Sequence, residues 1–125
     1  MPPLMPWLAA ALVCSSPVAV DGDTLRCGNL GAVRLVGIDA PEMPGHCRPG
    51  RTCTQGDGWA SKRALAAMIS GRVVICRTVG RDGYGRLLAR CSAGARDLSC
   101  AMVAAGQAVY RYSAIRCERQ SSRKP

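Results

Sequence analysis

VDGDTLRCGNLGAVRLVGIDAPE, the stretch from Val20 to Glu42, predicts two short strands, TLRC and AVRLVGI, each preceded by a turn. Pro41 ends the second strand, because a proline restricts the residue before it to extended or turn geometry. Four of the eight Asp and Glu residues lie in this stretch, although the chain has 17 Lys and Arg. Scarce carboxylates gathered on either side of a strand indicate a functional site more than a solvated surface.

The flanking sequence predicts one more strand, a hairpin and two helices. PVAV predicts a strand before the first turn, and WASKRALAAMIS predicts a helix with Asp57 as its N-cap. RVVICRTVG and RLLARCSAG predict two strands joined by the hairpin turn RDGYG, and SCAMVAAG predicts a short second helix. The predicted class is mainly β with helices (α+β), as a five-stranded OB-fold Greek-key barrel with an inserted helix and a short second helix.

The charge of the chain indicates a polyanionic partner. Its formal net charge is +9, and 15 of the 17 cations are Arg, which suits bidentate contacts with phosphate. These arginines are spread along the chain, which favours DNA or RNA over a membrane surface. No basic amphipathic helix is evident, so we expect no stable membrane insertion. With 125 residues, we expect one folded domain and a monomer.

The eight cysteines predict disulfides and an oxidising compartment. No Cys-x-x-Cys pair exists and His46 is the only histidine, so a zinc site is disfavoured. Cys76 and Cys91 lie at comparable distances from the predicted hairpin turn, which favours a cross-strand disulfide. Cys47 and Cys53 bracket the middle of a loop rich in Gly and Pro, where a local disulfide would restrain the chain.

Three segments are predicted along the chain. MPWLAAALVC has the length of a signal-peptide hydrophobic region, so residues 1–17 are interpreted as an export signal. This predicts a secreted or periplasmic protein, and cleavage before Ser15 would leave seven cysteines. Residues 18–112 are expected to form the folded domain, and residues 113–125 a polar, basic C-terminal tail.

The carboxylates of the opening stretch could hold a metal ion. Asp21-Gly-Asp23 resembles the start of a calcium loop, but Arg26 stands where an EF-hand requires glycine. Asp23 would therefore need a partner from elsewhere, and Asp39 at the end of the neighbouring strand is the candidate. Glu42 would be a third carboxylate, free to polarise water. The alternative is that these are ordinary loop acids.

Two arginines could stabilise a phosphoryl transition state beside that metal. Arg34 lies in mid-strand between Val33 and Leu35, where a charge requires a reason, and Arg86 directly follows the DGYG turn. The alternative is that both are ordinary surface arginines, which for Arg86 alone would be the preferred interpretation.

VDGDTLRC, VRLVGIDAPE and RDGYGRLLA together resemble the staphylococcal nuclease (thermonuclease) family, in particular an exported bacterial cysteine-rich branch. The resemblance implies an OB-fold and calcium-dependent cleavage of DNA and RNA that leaves 3′-phosphates. Asp23 and Asp39 match the family's calcium ligands, and Ala40 matches a residue that binds calcium through its main-chain carbonyl. The other matched site residues are Arg34 and Arg86 for the scissile phosphate, Glu42 as general base, and Tyr84 for the nucleotide, with either Tyr110 or Tyr112 as a second tyrosine there.

The predicted function is therefore a calcium-dependent endonuclease. The alternative is a nucleic-acid-binding OB module without catalysis, which could dispense with Arg34, Glu42 and Arg86, whereas all three are present. A disulfide-stabilised structural or inhibitory protein would explain the cysteines but would leave the site residues without a role.

Overall fold

The computed structural model describes residues 10–112 and 115–117. Within these ranges the chain is mainly β with two α-helices, which confirms the predicted class. The strands are β1 (Ala11–Val13), β2 (Val18–Ala19), β3 (Thr24–Cys27), β4 (Gly31–Leu35), β5 (Ile38–Asp39), β6 (Val74–Arg81), β7 (Leu87–Ala93), β8 (Arg96–Asp97) and β9 (Val109–Tyr110), and the helices are α1 (Gly58–Ile69) and α2 (Leu98–Ala104).

Most strands form one open, mixed sheet in the order β1-β6-β7-β4-β3-β2, with β8 paired to β7. The neighbours are antiparallel except β4 and β7, which run parallel with Arg34 opposite Leu88. A separate antiparallel pair joins β5 to β9, with Ile38 opposite Tyr110. A closed five-stranded barrel stays a prediction.

Local sequence signals place several elements where they were predicted. TLRC coincides with β3, and the side chain of Asp57 accepts hydrogen bonds from the N–H groups of Trp59 and Ala60 at the start of α1. The predicted strand AVRLVGI is divided into β4 and β5, because Gly37 adopts φ +85°, a left-handed conformation that turns the chain. The Arg111 N–H donates to the Gly37 carbonyl at 3.0 Å, which continues the pairing of β5 with β9.

The chain before β2 also belongs to the sheet. β1 pairs with β6, with Leu12 opposite Cys76, and Cys14 is bonded to Cys27 at the end of β3. Residues 1–9, the first half of the predicted export signal, lie outside the described residues, and the signal itself stays a prediction.

All eight cysteines form disulfides. Cys76–Cys91 is confirmed as a cross-strand disulfide between residues directly opposite in β6 and β7, and Cys47–Cys53 is confirmed as a local one. Each disulfide typically contributes about 2–4 kcal/mol to the stability of a fold. Such density is typical of an oxidising extracellular or periplasmic environment. The remaining two pairs are Cys14–Cys27 and Cys100–Cys117.

The core is aliphatic, as a chain without Phe requires. Leu25, Leu35, Leu65 and Met102 are fully buried, whereas Trp59 is exposed. No helix in the described part of the chain has the length and apolar character needed to cross a membrane. Of the predicted C-terminal tail, residues 113–114 and 118–125 lie outside the described residues. Cys117 joins the tail to α2 through Cys100.

Candidate active site

Arg34 is the centre of the site and lies in β4 with only 8% of its surface exposed. Its Nη1 donates hydrogen bonds to the carbonyls of Leu35 at 2.8 Å and Ile38 at 2.9 Å. Its Nη2 donates to Oδ1 of Asp39 at 3.1 Å and lies 3.5 Å from Oδ2 of Asp23. The guanidinium therefore has a fixed orientation and joins the two predicted metal ligands.

The Asp-Gly-Asp turn is held against α1 by close packing. A Cβ on Gly22 would lie 2.6 Å from the Ser61 Cβ and 2.7 Å from the Ala40 Cβ, so only glycine fits there. Oδ1 of Asp21 accepts a hydrogen bond from the Asp23 N–H at 3.0 Å, and Oδ2 of Asp23 accepts one from the Ala40 N–H at 2.8 Å. The turn thus fixes the direction of the Asp23 carboxylate.

The pKa of Asp23 is raised from 3.8 to about 6: burial is the largest cause, Arg34 opposes it, and the neighbouring charge of Asp21 adds to the rise. One guanidinium does not offset both the burial of Asp23 and the charge of Asp21. The pocket around this turn can therefore accept additional positive charge.

This raised pKa predicts that Asp23→Asn stabilises the fold. Since the pKa in the folded state lies above the unfolded value of 3.8, the protonated carboxyl of Asp23 contributes its full stability below about pH 4, and this contribution is lost as pH rises through about 6. With calcium chelated, we expect Asp23→Asn to add roughly 1–3 kcal/mol at neutral pH and little at about pH 3. Urea unfolding at both pH values measures this, and an equal gain at both would contradict it.

Asp39 is almost completely buried, with 1% of its surface exposed, and arginine side chains surround its carboxylate. Its Oδ2 accepts a hydrogen bond from Thr54 Oγ1 at 2.5 Å and lies 4.0 Å from Nε of Arg111. Its Oδ1, which bonds Arg34, is also 3.9 Å from Nη2 of Arg51. Both carboxylate oxygens are thereby engaged, so Asp39 orients the arginines around it.

Glu42 is more accessible, with 21% of its side chain exposed. Its Oε2 lies 3.5 Å from Nη2 of Arg51, its one ion-pair partner in the described chain. Its main chain packs so closely against the start of α1 that a Cβ on Gly58 would overlap the Glu42 carbonyl. The backbone of Glu42 is thus fixed while its carboxylate faces the solvent side of the site.

Arg86 is oriented by the turn between β6 and β7. Oδ1 of Asp82 accepts hydrogen bonds from the N–H groups of Tyr84 at 2.9 Å and Arg86 at 3.0 Å, and Oδ2 accepts one from Arg86 Nε at 2.6 Å. The Arg86 guanidinium lies 5.6 Å from the centre of the Tyr84 ring. Asp82 thereby holds the Arg86 guanidinium in place through Nε.

A cavity of about 430 Å³ brings most of the predicted residues together. Asp39 is not part of its lining but adjoins it through Arg34, and Ala40 contacts Asp23 through its main chain. The lining residues are Asp21, Asp23, Arg34, Glu42, His46, Arg48, Arg51, Tyr84 and Arg86.

Two predicted tyrosines take different positions. Tyr112 hydrogen-bonds to Arg51, which is the main cause of a raised Arg51 pKa, and therefore lies near the cavity. Tyr110 lines a second cavity. In the β5–β9 pair Tyr110 stands opposite Ile38, and Val109 stands opposite Asp39. Since neighbouring residues of a strand face opposite sides, Tyr110 lies on the face of β9 that points away from Asp39.

The loop between Glu42 and α1 supplies residues that the sequence did not assign to the site. Arg51 and Thr54 contact the buried Asp39. Arg48 donates to the Tyr84 hydroxyl at 3.1 Å, with its guanidinium 4.9 Å from the ring centre. The sequence did contain one signal for these residues: two arginines lie within the disulfide-closed loop that follows Glu42.

The acidic side chains at the cavity carry the type of ligand atom that calcium prefers. Asp21, Asp23 and Glu42 line the same cavity and present hard oxygen atoms. Across the described ranges, no three His, Cys, Asp or Glu side chains are grouped closely enough to hold a metal ion. The carboxylates of Asp23 and Asp39 share Arg34 as their common positive partner.

Arginines and carboxylates around a solvent-open cavity, in a basic β-rich domain, are typical of proteins that act on phosphate esters. Residues 32–124 match the family model described as staphylococcal nuclease homologue, which is more than half of the chain. The chain belongs to this family, as its motifs predicted, and its disulfides are consistent with a cysteine-rich branch. No curated protein matches the chain. Asp21 and Asp23 precede the matched region, so their place in the site rests on the contacts of the Asp-Gly-Asp turn and not on the family match.

Proposed function

We propose that this protein is a calcium-dependent endonuclease that hydrolyses phosphodiester bonds of DNA and RNA. The observation that carries the proposal is that Asp23, Arg34, Glu42 and Arg86, from separate segments, line one cavity. We extend the proposal to a monomer that acts in the periplasm or outside the cell, on the basis of four disulfides.

Arg34 and Arg86 would hold the phosphate at the bond to be cleaved. Each is fixed before substrate binds, Arg34 by the Leu35 and Ile38 carbonyls and Arg86 by Asp82. Donors that are already oriented need no rearrangement as negative charge grows on the phosphate oxygens in the transition state.

Glu42 would act as the general base. Its accessible carboxylate accepts a proton from a water molecule, whose oxygen then attacks the phosphorus. The bond from phosphorus to the 5′ oxygen breaks, that oxygen takes a proton from solvent to become the 5′-hydroxyl, and the 3′-phosphate product expected from the family remains. Arg51 at 3.5 Å keeps the Glu42 carboxylate directed towards the cavity.

Asp23, Asp39 and the main-chain carbonyl of Ala40 would hold the calcium ion, with Asp21 nearby. The raised pKa of Asp23 supports this assignment, because burial and the neighbouring charge of Asp21 disfavour its negative charge more than Arg34 favours it. When bound, calcium would supply positive charge beside a phosphate oxygen.

We also propose that the fold is a five-stranded OB-fold with α1 as the inserted helix. β2, β3, β4, β6 and β7 are all neighbours within one sheet, and α1 packs against β2. These strands correspond to the five predicted from the sequence.

Supercoiled plasmid DNA tests the function directly. We expect the purified protein to nick and linearise plasmid in millimolar calcium, to stop in EGTA, and to resume when calcium is added back. Glu42→Gln protein purified in parallel excludes a contaminating nuclease. Intact DNA that still binds the protein in calcium would instead support a nucleic-acid-binding module without catalysis.

A further inference from the structure

A second cavity, of about 630 Å³, lies on the face of β9 that carries Tyr110. Three arginines from separate parts of the fold converge on it: Arg90 of β7, Arg96 of β8 and Arg116 beside the Cys100–Cys117 disulfide. Such convergence is unlike a run of surface arginines on one element, and it creates a concave positive surface.

The charge of this second cavity is only partly balanced. Nε and Nη2 of Arg90 both lie 2.9 Å from Oδ2 of Asp97, so this arginine is neutralised. Arg96 and Arg116 are exposed and have no ion-pair partner in the part of the chain that the structure describes. Two positive charges therefore remain available to an anion.

The walls of the second cavity also suit a nucleotide base. Tyr110 is 56% exposed, and its ring is accessible beside the aliphatic side chains of Val103 and Ala104 on α2. An exposed aromatic ring beside exposed arginines is the combination that binds single-stranded nucleic acid, with the base on the ring and phosphates on the cations.

A single segment connects the second cavity to the active-site cavity. Tyr110 faces the second cavity, whereas Arg111 lies 4.0 Å from Asp39 and Tyr112 bonds Arg51 at the active site. The step from Tyr110 to Arg111 follows the alternation of an extended chain, whereas Tyr112, at φ +72°, lies after the strand and leaves that alternation. The segment at the end of β9 therefore contacts both cavities.

We propose that the second cavity is a subsite for the nucleic-acid strand, and that it binds a phosphate and base outside the bond being cleaved. The proposal rests on the proposed function for the active site, but it assigns a role to Arg96, Arg116 and Tyr110 that cleavage chemistry does not require. It predicts that long substrates bind more tightly than short ones through this cavity.

The test compares two double variants with the same change of charge. Arg96→Ala/Arg116→Ala removes two exposed arginines of the second cavity, and Arg26→Ala/Arg63→Ala removes two exposed arginines that line neither cavity. Fluorescence anisotropy in EGTA measures binding of a labelled single strand of about 20 nucleotides, longer than one OB-fold site usually occupies. A labelled dinucleotide serves as the short ligand, and inorganic phosphate is added as a competitor.

We expect the subsite variant to lose about tenfold in affinity for the long strand, with the slope of log K against log salt reduced by about 1–1.5. Tyr110→Leu should weaken the same strand by roughly tenfold through lost stacking. Dinucleotide binding should not change, and the control variant should lose clearly less. Inorganic phosphate at the concentration that displaces the dinucleotide should leave the long strand bound.

Three results would overturn the subsite. Equal losses of affinity in the two double variants would show a general effect of charge. Equal losses of affinity for the dinucleotide and the long strand would show that these residues do not form a separate subsite. Unchanged binding in the subsite variant would also exclude it. A parent protein that binds the long strand as expected but never cleaves it would refute the nuclease proposal and leave the subsite standing.

Discussion

The Glu42→Gln variant is expected to lose about 10²–10⁴-fold in kcat, the usual contribution of a general base. The amide has nearly the same shape as the carboxylate but cannot accept a proton from water. Because the side chain is accessible and its one described partner, Arg51, is itself exposed, the fold should not depend on this charge. The melting temperature should therefore stay close to that of the parent, and the loss should fall on kcat.

The measurement is initial-rate cleavage of a fluorescent oligonucleotide in saturating calcium, with thermal unfolding recorded on the same samples. Asp57→Asn is the matched control, because it also replaces a carboxylate by an amide but lies outside the cavity, and asparagine still caps α1. Glu42→Gln activity equal to that of Asp57→Asn would remove Glu42 from the chemistry.

The sequence predicted the elements whose signals are local. The Asp57 cap, the strand TLRC and the hairpin that places Cys76 opposite Cys91 each depend on neighbouring residues or on one turn. The contact between Arg34 and Asp39 is local for a related reason, since the two residues are five positions apart, in β4 and β5 on either side of the Gly37 turn.

Contacts set by tertiary packing could not be predicted in this way. β1 and β9 are strands of only three and two residues, and their pairing with β6 and β5 joins distant parts of the chain. The return of the disulfide-closed loop, which brings Arg51 and Thr54 to Asp39, likewise depends on the packed core beneath it. The separation of Tyr110 from Tyr112 could not be predicted from strand alternation, because Tyr112 lies after β9 and adopts φ +72°.

Replacing Arg34 by Met should destabilise the protein by about 3–5 kcal/mol, because the change leaves buried charges without their partner. Asp39 would keep only the more distant cations of Arg51 and Arg111, at 3.9 and 4.0 Å. The carbonyls of Leu35 and Ile38 would also lose their donor. Urea unfolding of the parent and the variant in EGTA measures this loss, and equal stability would show that the cluster contributes nothing to folding.

The same change should lower the rate of cleavage by about 10²–10³-fold, since a fixed donor to the transition state is lost. The double variant Arg34→Met/Asp39→Asn tests whether the loss of stability comes from the unpaired charge, because it removes the carboxylate that the single variant leaves without Arg34. We expect the double variant to regain part of the stability, as coupled buried charges do. Activity is compared between the parent and Arg34→Met at a temperature where both are folded, and equal rates would mean that Arg34 acts only by holding the fold and that the phosphate is bound elsewhere.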